Sequence, residues 1–113
     1  MSEDKITLEK IVERMRDGSL LTPKEAAEYR NYLAGTYAFI SSRLEEILKN
    51  KTTAWLSFRE NSKSDNQAEI RWQATEEGKN EIGYKLQLKR IEKLLSALRT
   101  YLEVSSNEAR NIF

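Results

Sequence analysis

The chain contains no cysteine and no histidine, and these two absences exclude several kinds of chemistry. Without cysteine there can be no disulfide, no thiolate nucleophile and no cysteine-ligated zinc. Without histidine the chain lacks the usual general base near neutral pH and the most common metal ligand. Its serine pairs have no histidine to activate them, and no glycine-rich phosphate loop is present. The sequence therefore predicts a protein that is not an enzyme and that binds no cofactor or metal.

Turn-forming residues and long apolar runs are also scarce. One proline and four glycines occur in 113 residues, of which 33% are charged, and this composition is typical of a helix-rich protein. A small barrel or sandwich would need many more turn residues. No window approaches 18 consecutive apolar residues, and the first residues lack the apolar core of a signal peptide. We expect a soluble, cytoplasmic protein with no membrane partner.

The last third of the chain carries the clearest pattern, an apolar seam whose residues recur in steps of four and three. The seam consists of Tyr84, Leu88, Ile91, Leu95, Leu98 and Leu102, and continues through Ser105, Ala109 and Ile112. An average step of 3.5 residues over this length requires a second helix to cover it. The pattern predicts a long helix over residues 76–111, with Thr75 either starting it or lying inside a longer helix that tolerates Gly78.

A second long helix is predicted over residues 22–60. Thr22, Pro23 and Glu25 form a capping-box start, and no strong helix breaker follows until residue 61. Its seam consists of Ala26, Leu33, Tyr37, Ile40, Leu44, Ile47, Ala54 and Phe58. Lys51 occupies one position of this apolar stripe, where it either extends to solvent or pairs across the interface.

Two shorter helices complete the predicted organisation of residues 1–113 as a single helical domain. Residues 1–19 hold a short helix capped by Thr7 and stopped near Gly18, and residues 61–75 form a connecting segment with a short helix capped by Ser64. The fold class is all-α: a long antiparallel, coiled-coil-like helical hairpin. The apolar face of the last helix is wider than one partner helix covers. The short N-terminal helix and neighbouring subunits are the two candidates for covering the rest, and we expect both, which makes the protein a homo-oligomer.

Charge and aromatic residues are unevenly distributed. The net charge is only +1, but residues 1–28 hold five basic against seven acidic residues, and residues 79–99 hold six basic against two acidic residues. Between residues 49 and 84, aromatic rings alternate with lysines and arginines, a combination that suits single-stranded nucleic acid. The alternative is that these rings fill the core at the end of the hairpin. Lys85, Lys89 and Lys93 lie one turn apart, which indicates an anionic partner, acids on another helix, or a solvated face.

The order of these features carries a resemblance. Four features follow one another: the segment from Ala54 to Glu60, the pair Ser64-Asp65, the segment from Trp72 to Gly78 and the final lysine-leucine helix. This order resembles that of small helical proteins of phage recombination and is similar to that of the UvsY-type mediators. The resemblance covers residues 37–113, and it implies a location in a bacterial or phage-infected host cell. It implies an oligomer that binds single-stranded DNA and helps to load a recombinase, with basic side chains on phosphates and the two tryptophans stacked on bases.

Nine residues are the resulting candidates for contact with nucleic acid. They are Lys51, Trp55, Arg59, Lys63, Arg71, Trp72, Lys79, Lys85 and Lys89. The function expected first is a non-enzymatic accessory protein that binds single-stranded nucleic acid, in the manner of a phage recombination mediator. The alternative is a helical protein-interaction module, such as a scaffold, assembly chaperone or adaptor, that binds no nucleic acid.

Overall fold

Four α-helices make up the structure, a computed structural model that describes residues 5–17 and 20–112, with side chains through residue 104. The helices are α1 (Leu8–Arg16), α2 (Pro23–Glu60), α3 (Asp65–Gln73) and α4 (Glu76–Ile112). No strand occurs within those residues. The long helices α2 and α4 pack against each other, which confirms the predicted all-α helical hairpin.

Local capping bonds start the first three helices where the sequence predicts. Thr7 Oγ1 accepts a hydrogen bond from the Lys10 amide at 3.2 Å, and Ser64 Oγ accepts one from the Gln67 amide at 3.2 Å. At the start of α2 the capping box is reciprocal: Thr22 Oγ1 accepts from the Glu25 amide, and Glu25 Oε1 accepts from the Thr22 amide, both at 3.1 Å. These bonds satisfy amide groups that have no partner inside the helix. The predicted turn at Gly18 lies outside the described residues.

The start of α4 settles the alternative left open at Thr75. Thr75 Oγ1 accepts a hydrogen bond from the Gly78 amide at 3.0 Å, so Thr75 caps a new helix. Gly78 is required rather than tolerated, because a Cβ atom built on it would lie 2.0 Å from the carbonyl oxygen of Trp72. The glycine therefore permits the first turn of α4 to approach the last turn of α3 closely.

Contacts divide the chain into two compact units. The terminal unit contains residues up to Thr36 together with those from Arg90 onward. Its buried apolar residues are Ile11, Leu21, Ala26, Leu33, Ile91 and Leu98. In this unit the hydroxyl of Tyr101 donates a hydrogen bond to the Leu21 carbonyl at 2.6 Å and accepts one from the Leu21 amide at 3.0 Å. This side chain therefore attaches the segment between α1 and α2 to α4.

The central unit, Tyr37–Lys89, contains the end of α2, all of α3 and the start of α4. Its buried apolar residues are Ile40, Ala68 and Trp72. The remaining seam residues of its two long helices are half-buried, namely Tyr37, Leu44, Ile47, Ala54, Phe58, Tyr84 and Leu88. The predicted seams therefore face the interior in this unit. All nine candidate residues for nucleic acid also belong to it.

Candidate functional site

Lys51 lies at the centre of a group of charged side chains that joins α2, α3 and α4. Its Nζ atom is 3.2 Å from Glu69 Oε1 and 3.2 Å from Glu81 Oε1, and only 22% of its side chain is exposed. The ammonium group also lies 5.8 Å from the centre of the Trp72 ring. Of the two alternatives for Lys51, the structure shows pairing with acidic groups. We call Lys51, Glu69, Glu81 and Lys85 the polar cluster.

Glu81 is the buried member of the polar cluster, with 5% of the residue exposed. Its carboxylate accepts hydrogen bonds from Trp72 Nε1 at 2.8 Å and from Lys85 Nζ, in addition to its contact with Lys51. Burial raises the pKa of Glu81, but the hydrogen bonds from Lys85, Trp72 and Lys51 outweigh it and hold that pKa below its ordinary value. Glu81 is therefore ionised at neutral pH, at a site where an unpaired charge would be costly.

The pKa of Lys51 shifts in the complementary direction. Burial lowers the pKa of the ammonium group, but the hydrogen bonds to Glu69 and Glu81 raise that pKa by a larger amount. The pKa of Lys51 therefore lies above its ordinary value. Two cations and two anions make the cluster neutral. Among the side chains that the structure describes, no buried polar atom lacks a hydrogen-bond partner. The arrangement therefore leaves each buried charge of the cluster paired.

The two tryptophans of the candidate set occupy different environments. Trp72 is 2% exposed, so its ring belongs to the core. Core packing was the alternative to base stacking that the sequence left open. Burial of both faces removes Trp72 from any surface on which bases stack. Trp55 is half-buried, and its Nε1 donates a hydrogen bond to Glu69 Oε2 at 3.0 Å. Lys51 is likewise paired with acidic side chains. The structure therefore places neither Lys51 nor Trp72 on an exposed surface, and their assignment to nucleic-acid contacts stays a prediction.

The remaining basic candidates differ in whether they form an ion pair. Arg59 forms an ion pair with Asp65 and also donates to the Ser62 carbonyl, and Arg71 donates to the Asn61 carbonyl at 2.9 Å. These bonds hold the turn between α2 and α3. Lys85 is paired with Glu81. The exposed candidates that have no ion pair within the described part of the chain are Lys63, Arg71, Lys79 and Lys89.

An apolar groove that the sequence analysis missed runs along α2. It consists of two adjoining depressions of about 400 and 370 Å³ that share Leu48 and Thr52. Together they are lined by Ser41, Leu44, Glu45, Leu48, Lys49, Lys51, Thr52, Trp55, Leu56, Glu69 and Leu88. We call this surface the α2 groove. Leu48 and Leu56 are 40% and 56% exposed. The spacing of Leu44, Leu48, Thr52 and Leu56, four residues each time, was the available signal.

A second exposed surface lies on α4 and combines apolar and basic side chains. Ile82 and Leu86 are 44% and 61% exposed, and the exposed lysines Lys79 and Lys89 flank them. In the order Lys79, Ile82, Leu86 and Lys89 the four residues occupy positions i, i+3, i+7 and i+10, which lie on one helix face. We call these four residues the α4 basic face. Between residues 78 and 89 the exposed charged residues of α4 are all lysines, because Glu81 is buried.

Comparison with protein families, with curated proteins and with solved structures finds no match to this chain. The resemblance to recombination mediators therefore stays a prediction from the order of sequence features. Within residues 5–17 and 20–112, no helix combines the length and apolarity needed to cross a bilayer. The same residues hold no group of three or more acidic side chains arranged to bind a metal ion.

Proposed function

We propose that this protein is a non-enzymatic helical scaffold that self-associates through the α2 groove. The observation that carries the proposal is the exposure of Leu48 and Leu56 in a groove whose lining surface is mainly apolar. Large exposed apolar side chains that are contiguous on one face are typical of protein-binding surfaces. The groove extends over residues 41–56, about 22 Å along the helix at the usual rise per residue.

A second copy of the chain fits this groove because its apolar stripe is self-complementary. In an antiparallel arrangement, Leu44 of one copy faces Leu56 of the other, and Leu48 faces the methyl group of Thr52, so no charged side chain meets another along the stripe. The charges at the rim are compensated within each chain: Glu45 pairs with Lys49 at 3.3 Å, and Lys51 pairs with Glu69. A neutral rim neither attracts a charged partner nor repels an identical copy.

The expected association is reversible. Complete burial of an exposed leucine contributes roughly 1.5–3 kcal/mol, and Leu48 and Leu56 are each about half-exposed before association. Association itself costs at least about 4 kcal/mol of translational and rotational freedom. Leu48 and Leu56 of both copies supply at most about 6 kcal/mol before this cost, so a micromolar dissociation constant, about −8 kcal/mol, requires that Leu44, Trp55 and Leu88 of the groove are also covered. The population of dimers should rise with concentration.

Sedimentation velocity over about 1 to 500 µM tests the proposal, because this range spans the expected dissociation constant. The wild-type mass should rise towards a dimer, and Leu56→Lys should keep the protein monomeric. Leu86→Lys is the matched control, since Leu86 is 61% exposed on α4 and lies outside the groove. A wild-type protein that stays monomeric over the whole range would refute self-association, as would equal effects of the two substitutions.

Single-stranded DNA binding, in the manner of a recombination mediator that loads a recombinase, is the second candidate. The exposure of Lys63, Arg71, Lys79 and Lys89 supports it, because these charges can reach phosphates. Anisotropy of labelled oligo(dT) at about 50 and about 200 mM salt tests this candidate, since phosphate contacts weaken steeply with salt. Absence of binding at the lower salt would eliminate it. Lys63→Glu combined with Lys79→Glu should abolish any binding that depends on these charges.

A further inference from the structure

We propose that the α4 basic face is a docking site for an acidic amphipathic helix of a partner protein. This surface is separate from the α2 groove, and the proposal does not depend on self-association. Four observations carry it: the absence of an ion pair between either lysine and any described side chain, the exposure of its apolar residues, the spacing of the four side chains, and the unfavourable pairing of this face with itself.

The charge of the face is uncompensated. Lys79 and Lys89 are exposed, and neither forms an ion pair with any side chain that the structure describes. Glu81, the one acidic residue of α4 between them, is buried and already bound by Lys51 and Lys85. Between Lys79 and Lys89, α4 therefore offers no free acid, and an external anionic group would find two ammonium groups that form no ion pair with the described side chains.

The apolar part of the face indicates a protein helix rather than a nucleic acid. Ile82 and Leu86 lie between the two lysines and are among the more exposed large apolar residues of the chain. Phosphate contacts would leave these side chains in water, whereas leucines of a helix would cover them. A partner helix with acids at positions i and i+10 and apolar residues at i+3 and i+7 matches all four side chains at once.

A second copy of this chain does not fit the same face. In an antiparallel pair centred on Tyr84, Ile82 meets Leu86 of the other copy, but Lys79 meets Lys89 at both ends. In a parallel pair each lysine meets its own counterpart. Both arrangements place like charges opposite each other, which is unfavourable for the association of two helices. The α4 basic face therefore selects a different chain, in contrast to the neutral rim of the α2 groove.

Two synthetic helical peptides test the proposal. The acidic peptide carries glutamates at i and i+10 and leucines at i+3 and i+7, and the control peptide carries lysines in place of the glutamates. Fluorescence anisotropy with the full chain should show binding of the acidic peptide only. This affinity should fall several-fold between about 50 and about 200 mM salt, because exposed ion pairs are screened. Equal binding of the two peptides, or binding of neither, would overturn the proposal.

Variants locate the peptide on the surface. Lys79→Glu combined with Lys89→Glu should weaken the acidic peptide at least tenfold, and Leu86→Ala should weaken it several-fold. Leu56→Ala is the matched control, because Leu56 is a similarly exposed leucine of the α2 groove. If neither the double lysine variant nor Leu86→Ala weakens binding of the acidic peptide, the proposed location is wrong.

Two further probes exclude other anionic partners. The first probes are oligo(dT) and phosphatidylserine vesicles. If either binds, and if this binding depends on Lys79 and Lys89 but not on Leu86, the partner is a nucleic acid or a lipid surface and the proposal is overturned. Leu56→Lys, expected to be monomeric, should still bind the acidic peptide. This last measurement distinguishes failure of the docking site from failure of self-association.

Discussion

The indole nitrogen of Trp72, on α3, donates a hydrogen bond of 2.8 Å to the carboxylate of Glu81, on α4. Trp72 is 2% exposed and Glu81 is 5% exposed, so this bond joins the two helices inside the central unit. It accounts for the burial of both residues, because neither the indole N–H nor the carboxylate can be buried without a partner at low cost. Lys51 completes the arrangement from α2.

Removal of Glu81 should destabilise the protein strongly. Glu81→Ala leaves the Trp72 N–H and the Lys51 ammonium without one acceptor each, and should lower the free energy of unfolding by about 2–4 kcal/mol. Gln87→Ala, an exposed change on the same helix, should alter it by less than about 0.5 kcal/mol. Chemical denaturation followed by circular dichroism measures both. A loss below 1 kcal/mol for Glu81→Ala would contradict the role assigned to the cluster, taking about 1 kcal/mol as a single hydrogen bond.

Stability should fall in acid because of the same carboxylate. The pKa of Glu81 is lowered in the folded protein, so the stabilisation from its ionised form is present above the unfolded pKa of about 4.3 and is lost as pH falls through the lower folded pKa. Denaturant titrations from neutral pH down to about pH 3 should show this loss. Glu81→Gln should start from a lower stability and lose less of it over that range. Equal acid dependence of the two proteins would refute the assignment.

The glycines should respond to alanine in opposite directions. Gly78→Ala places a Cβ atom against the Trp72 carbonyl and should cost about 1–3 kcal/mol through overpacking between α3 and α4. Gly35→Ala and Gly83→Ala meet nothing within 4 Å inside a helix, and each should stabilise the protein by about 1 kcal/mol. Thermal unfolding of the three variants measures the contrast. Destabilisation by Gly35→Ala or Gly83→Ala would be inconsistent with the open space around them.

Tyr101 should stabilise the terminal unit through its hydroxyl group alone. Tyr101→Phe keeps the ring but removes both bonds to the Leu21 main chain, and should cost about 1–3 kcal/mol because Leu21 is buried. Hydrogen exchange of the Leu21 amide should accelerate in the same variant. Tyr32→Phe is the control, because the Tyr32 hydroxyl forms no hydrogen bond with the described residues and its loss should be nearly neutral. Equal stability losses in the two variants would indicate a role of the ring rather than of the bonds.

Helix boundaries were predictable because the signals that set them are local. Residues 22–60 and 76–111 were expected to be helical, and the structure has Pro23–Glu60 and Glu76–Ile112. Capping boxes and seam spacing involve residues within four positions of each other, so they can be read along the chain. Seam residues such as Ile40, Ile91 and Leu98 were expected to face the interior for the same reason, and they are buried.

The candidate nucleic-acid site was less predictable because exposure depends on contacts between helices. Trp72 and Lys51 lie among basic and aromatic residues in the sequence, a pattern that equally fits a surface or a plugged core. Only the approach of Glu69 and Glu81 places Lys51 in partly buried ion pairs and makes Trp72 a core residue. The α2 groove was missed because Leu48 and Leu56 lie beside the main seam, where periodicity alone does not distinguish a covered residue from an exposed one.

The sequence by itself determined the all-α class, the two long helices and the absence of cysteine and histidine chemistry, because composition, capping and periodicity act over short distances. The tertiary structure decided which charges are paired, which tryptophan is buried and which leucines remain exposed. These outcomes depend on side chains brought together from α2, α3 and α4, and a buried charge is tolerated only where such partners converge. Self-association and acidic-helix docking rest on the apolar and charged side chains that this packing leaves exposed.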